Sequence, residues 1–199
     1  RQNESEDKYK IGRFRDKLES LAATHSGESE ILLGIAEIYR FGLPSPTVAL
    51  NYYRRVLEVN SQDKIAPAIL LNFEAIKYAD QVGNMKMKAN FAKTVRNIDK
   101  EQFPTNSHLY DIATTYTPQE REGAAAVWDK GARQDSEKLK TEATAITNAL
   151  SKAKIVDPQN ALYDYLAAAM LLSEDLLEPA IQSIENGLGK HISKTLKGQ

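Results

Sequence analysis

An all-α fold of antiparallel helical hairpins is what this sequence predicts, on three observations. Apolar residues recur at helical spacing almost throughout, while runs of alternating Val, Ile and Thr are missing. Caps and breakers interrupt the apolar stripes at short intervals, as antiparallel neighbours require. One hairpin pattern also occurs near both ends. Ile35-Ala36-x-x-Tyr39 is followed by Ala49-x-x-x-Tyr53, and Leu166-Ala167-x-x-Met170 by Ala180-x-x-x-Ile184. The small residue of each pair marks where two helices approach closely, and the large one fills the turn beyond. Hairpins repeated in this way stack into a solenoid, an architecture that usually binds other proteins.

The first expected helix covers about 5–24, with Ile11, Phe14, Leu18 and Leu21 as its stripe. The second covers 28–41, carries Leu32, Ile35, Ala36 and Tyr39, and stops at Gly42-Leu43-Pro44. Ser45 is the expected cap of a third helix, with Pro46 at its first position, where a missing N–H is harmless. Tyr53 of this helix is expected in the core, Tyr52 and Arg55 at the surface. Asp63 is the expected cap of a fourth helix over 64–82, ended by Gly83. A fifth, over 85–101, carries Met87, Phe91, Val95 and Ile98 and stops before Pro104. A short sixth covers 107–116. Thr117-Pro118-Gln119-Glu120 reads as a capping box opening a seventh helix to about 133, which Gly123 and Gly131 weaken. An eighth covers 136–156, a ninth 160–172, and Asp175 and Glu178 open a tenth. No linker interrupts the chain, so residues 1–199 are expected to form one domain: a capping helix in 1–27, hairpins in 28–189 and a polar tail in 190–199.

The 199 residues are enough to bury a core, and 42% hydrophobic with 27% charged residues is ordinary for a soluble chain. A formal net charge of −1 lacks the basic field that collects phosphates, which argues against nucleic acid. No apolar run approaches the ~20 residues that span a bilayer. The absence of cysteine excludes disulfides, thiol catalysis and thiolate metal sites, and leaves the compartment open. The start at Arg1, without Met, reads as a trimmed or processed end, from which a signal peptide or anchor can have been removed. Asn3-Glu4-Ser5 fits a glycosylation sequon, a short pattern often met by chance.

Chemical motifs are sparse. His25, His108 and His191 have no histidine partner at helical spacing, so no metal and no cofactor are expected. Ser151-Lys152-Ala153-Lys154 matches Ser-x-x-Lys, but its companion motifs are missing and it falls inside a helix. Gly187-Leu188-Gly189 follows no strand and reads as a helix end. Lys86, Lys88, Lys93, Arg96 and Lys100 make the fifth helix basic, and Lys93, Arg96 and Lys100 share a face. That face reads as solvated, with an acidic partner or a phosphate as the alternative.

With Ile35, Ala36, Tyr39, Ala49 and Tyr53 at its first hairpin, the chain resembles the tetratricopeptide repeat family. Ser61 stands where that family's closing proline would be. Ile112, Ala113, Tyr116 and Ala125 give a weaker unit. Leu150, Ala153 and Asp157-Pro158 resemble the end of another, and Leu166, Ala167, Ala180 and Ile184 a last one. The end hairpins are not separated by a whole multiple of the family's ~34 residues, so the units between them are irregular. The resemblance implies a short right-handed solenoid whose concave groove binds a peptide or a partner helix. The groove positions it implies are Glu30, Leu33, Glu37 and Arg40; Ser107, Tyr110 and Thr114; and Ala161, Asp164, Ala168 and Leu171. Glu37, Arg40, Tyr110 and Asp164 are accordingly expected to be solvent-accessible, with Tyr110 as an anchor. The expected function is a protein-interaction scaffold with no catalysis. The alternative is an assembly subunit that oligomerises through its terminal helices.

Overall fold

The structure, a computed structural model, describes residues 2–43, 45–99, 101 and 104–190, with side chains from Tyr9 onward. The expected tail from His191, and also Pro44, Lys100 and the side chains of the Asn3 sequon, lie outside the described residues. Among those residues the chain is all-helical with no strand. The helices are α1 (Gln2–Thr24), α2 (Ser29–Glu37), α3 (Pro46–Val59), α4 (Ile65–Arg96), α5 (His108–Thr115), α6 (Pro118–Val156), α7 (Leu162–Ser173) and α8 (Leu177–Gly187). A π-helical turn, Ile38–Gly42, extends α2.

Two expected helix breaks do not occur. The fourth and fifth expected helices are the single 32-residue α4, with Gly83 inside it and exposed. The seventh and eighth are the single 39-residue α6, which runs through Gly131. A glycine inside a helix costs only about 1 kcal/mol relative to alanine. Neither glycine is next to a proline, and apolar spacing continues past both. In α6 the buried residues Ala125, Ala132, Leu139, Ile146 and Ala153 recur every seventh position, a heptad seam that holds the helix together through the glycine.

The described residues gather into two compact units. Unit 1 comprises residues up to Asn72 together with Lys152–Tyr163. Its core joins Leu18 and Ala22 of α1, Leu32, Ile35 and Ala36 of α2, Tyr39, then Ala49, Tyr52, Tyr53 and Val56 of α3, and Ala66, Ile69 and Leu70 of α4. Tyr52, expected at the surface, is buried because its hydroxyl has a partner. Glu19 of α1 accepts from Tyr39 through one carboxylate oxygen (3.1 Å) and from Tyr52 through the other (2.8 Å), while the two rings stack at 5.7 Å. Arg55 lies 5.0 Å over the Tyr52 ring and donates to the Ala22 carbonyl. Asp63 caps α4 as expected, accepting from the backbone N–H of Ile65 and Ala66 (2.9 and 2.7 Å). Ser45 stands at the start of α3 with Pro46 at its first position, but its hydroxyl makes no cap hydrogen bond.

Unit 2 comprises Phe73–Ser151 together with Asp164–Gly189. Its parts of α4 and α6 run antiparallel. Arg96 forks onto Glu122 (2.7 and 3.1 Å) and Asp129 (2.8 Å), Phe91 meets Trp128 edge-on at 5.0 Å, and Lys88 reaches Asp135 at 2.6 Å. The capping box at the head of α6 forms. Thr117 donates its N–H to Glu120 (2.8 Å), and Glu120 donates its own to the Thr117 hydroxyl (3.3 Å). α7 ends in a Schellman motif. Leu176 N–H reaches the Leu171 carbonyl, Asp175 N–H reaches that of Leu172, and Asp175 itself takes the left-handed φ of 64° that this motif demands.

Candidate partner-binding site

The residues implied as a groove fall into different environments. In unit 1, Glu30 is exposed in the first turn of α2, whereas Leu33 packs against the core. Glu37 and Arg40 are half-buried and engaged with one another and with the core. The Tyr53 hydroxyl donates to Glu37 at 2.5 Å, and the Arg40 guanidinium lies 3.9 Å from the same carboxylate and 4.6 Å over the Phe41 ring. Burial of the Tyr53 ring, followed by its bond to Glu37, pushes the phenol well above its ordinary range. This cluster anchors α3 to α2. Ala161 is buried.

In unit 2, Ser107 caps α5 by accepting from the Tyr110 N–H at 3.1 Å. Tyr110 is half-buried, and the exposed Thr114 hydroxyl donates back to the Tyr110 carbonyl. Asp164 overturns the expectation of accessibility: it is only 2% exposed. The cause is the close approach of α8. A Cβ on Gly187 would stand 2.7 Å from the Tyr165 ring and 3.3 Å from the Asp164 Cβ, so glycine lets the end of α8 lie against the start of α7 without displacing that ring. Ala168 is buried and Leu171 half-buried.

Of the basic residues of the expected fifth helix, three are held in ion pairs. Lys86, Lys88 and Arg96 pair with Asp175, Asp135 and the Glu122/Asp129 pair. The same fork, first through its hydrogen bonds to Glu122, raises the Arg96 pKa, and the Glu122 pKa is lowered in return. Lys93 is exposed. A shallow cleft of about 500 Å³ between α4 and α6 is lined by Lys86, Asn90, Asp129 and Arg133 among others. Its Lys86 is already occupied, donating to Asp175 and to the Ser173 carbonyl at 2.6 Å each. Among the described residues, no group of three or more His, Asp or Glu is placed to hold a metal ion, and no helix is long and apolar enough to cross a membrane.

The most distinctive surface is on α8. Leu177, Ile181 and Ile184 succeed one another at intervals of four and three positions and so lie on one face of α8, and Leu188 follows four positions later, just past the helix end in extended backbone. They are 53%, 46%, 39% and 67% exposed. Leu172 and Leu176 continue the exposed apolar surface at the α7–α8 turn. Along one flank of this stripe, Ala180 and Gly187 are buried. Glu174, beside this surface, accepts from the Tyr78 hydroxyl, and Asp175 holds Lys86, which fixes the turn from which α8 departs. Sequence reasoning assigned Ala180 and Ile184 to the last repeat-like hairpin and did not single out this face. The heptad-like run from Leu177 to Leu188 was the signal for a second apolar face.

No family model matches the chain, and neither the curated proteins nor the solved structures contain a match to it.

Proposed function

We propose that this chain is a protein-interaction scaffold built of tetratricopeptide-like hairpins, and that it docks a partner helix on the apolar face of α8. The observation that carries this reading is the exposed run Leu177, Ile181 and Ile184 on α8, continued by Leu188 at its end, beside the buried Ala180 and Gly187. Single exposed apolar residues are ordinary, but a contiguous set with helical period marks a contact surface. Its spacing fits a helix laid alongside, with anchors read at i, i+4 and i+7. The α2–α3 hairpin supports the tetratricopeptide-like part, because Ile35, Ala36, Tyr39, Ala49 and Tyr53 are all buried where that pattern needs them. The groove positions support it less. Glu37 is taken up by Tyr53, and Asp164 and Ala168 are buried.

The test compares Ile181→Glu with Gln182→Glu, a neighbouring exposed position off the stripe. A charge on the stripe is expected to weaken capture of a partner at least tenfold in a quantitative pull-down with no loss of thermal stability, while Gln182→Glu changes neither. Undiminished capture by Ile181→Glu would remove α8 as the docking face.

A further inference from the structure

We infer that the helix docked on α8 is α1 of a second copy of this chain, so that copies join head to tail. The inference rests on the proposed docking face and adds the identity of the occupant. Its ground is the match between the α8 stripe and the exposed apolar residues of α1. On α1, Ile11, Phe14 and Leu21 are exposed, and with Leu18 they are spaced by three, four and three positions. Leu18 belongs to the core of unit 1. The α8 stripe has the same alternation of three and four. Both helices therefore carry the 3.5-residue seam that lets two helices run along each other.

The charges beside the seams are opposite. On α8, Glu178 and Glu185 each stand one position after a seam residue and are exposed. On α1, Arg15 comes directly after Phe14 and Lys17 directly before Leu18, both exposed and one on each flank of the seam, so that the orientation of the joint decides which of them meets the α8 glutamates. These are the flanking positions where interhelical ion pairs select partner and orientation. Two α8 helices laid antiparallel would instead bring the glutamates of both copies to one side. The other flank offers no relief, because Ala180 and Gly187 are buried within their own unit. Like charges so placed are destabilising. A joint between two different faces is heterologous, and it propagates into rings or filaments rather than stopping at a pair.

The experiment is sedimentation velocity on the full chain. The wild type is expected to gain weight-average mass as concentration rises, and to lose it when salt is raised. Phe14→Glu and Ile181→Glu should each be monomeric, with unchanged circular dichroism. An equimolar mixture of the two should form a one-to-one dimer and grow no further, because each retains one intact face. Arg15→Glu with Lys17→Glu should weaken assembly at least tenfold, and adding Glu178→Lys with Glu185→Lys should restore it. A wild type that stays monomeric to about 1 mM would overturn the inference. So would a dimer that survives Phe14→Glu. If the wild type is monomeric yet Ile181→Glu loses capture of a different protein, the docking reading stands and only the occupant is wrong. If Ile181→Glu captures that protein as well as the wild type does, the docking reading itself falls.

Discussion

The α2–α3 and α7–α8 hairpins carry the same short pattern and bury it differently. In the first, Ile35, Ala36, Tyr39, Ala49 and Tyr53 are all buried. In the second, Leu166, Met170 and Ala180 are buried, Ala167 is half-buried and Ile184 is exposed. The difference lies in the layer packed behind each hairpin. Behind α3, Ala66, Ile69 and Leu70 of α4 join the same core, and Glu37 satisfies the Tyr53 hydroxyl. On α8 the corresponding outer positions Leu177, Ile181 and Ile184 are apolar and exposed. The pattern specifies close approach within a hairpin. Whether its large residues become core is decided by the next helix in the stack.

Exchanging matched positions is the strongest way to break this comparison. Tyr53→Ala should cost about 3–5 kcal/mol in denaturant unfolding, through a core cavity and the loss of the hydroxyl that Glu37 accepts from. Ile184→Ala, at the corresponding position of α8, should cost less than about 1 kcal/mol. Similar losses at both sites would mean that α8 is covered after all. The small residues give a second contrast. Ala36→Leu should destabilise by about 1–3 kcal/mol through overpacking, and Ala167→Leu by less than about 1 kcal/mol, as read by thermal melts of both variants. Gly187→Ala sharpens the comparison at the tight contact of the second hairpin. It should cost about 1 kcal/mol, because the half-buried Tyr165 ring can turn aside from a new methyl group.

A further effect is one of pH. Burial, followed by a hydrogen bond to Glu19, pushes Tyr52 from its ordinary value of 10.0 to about 12. A phenol whose folded value is raised holds its proton while the unfolded chain releases one. Its stabilisation is therefore complete below pH 10 and is lost as pH rises towards 12. Unfolding free energy should decline across that window, with the tyrosinate absorbance of these residues emerging together with unfolding. Tyr52→Phe should flatten the decline. An unchanged slope would remove the assignment.

Helix existence was legible throughout, and so were the ends set by local chemistry, such as the Asp63 cap and the Thr117–Glu120 box. The two missed continuations, at Gly83 and at residues 134–135 just beyond Gly131, show why the rest was not. Local propensity favours a break at glycine, but a seam from Ala125 to Ala153 at strict seven-residue intervals outweighs one weak position. Tyr52 was misplaced because its acceptor, Glu19, lies 33 residues away. The partners of Arg96 on α6 lie 26 and 33 residues along the chain and become neighbours only when α4 and α6 run antiparallel. Asp164 was misplaced because its cover depends on a glycine in another helix.

Glu19 has a consequence for how this sequence can drift. One carboxylate serves two buried hydroxyls, so the three side chains form a unit that no single change leaves intact. Losing Glu19 strands two phenols, each of which would then favour phenylalanine. Losing one tyrosine hydroxyl leaves Glu19 with the other and is tolerable. Descent through Tyr39→Phe or Tyr52→Phe is therefore open, whereas descent through Glu19 first is barred. Relatives of this chain should carry a phenylalanine beside a retained glutamate far more often than two tyrosines without one.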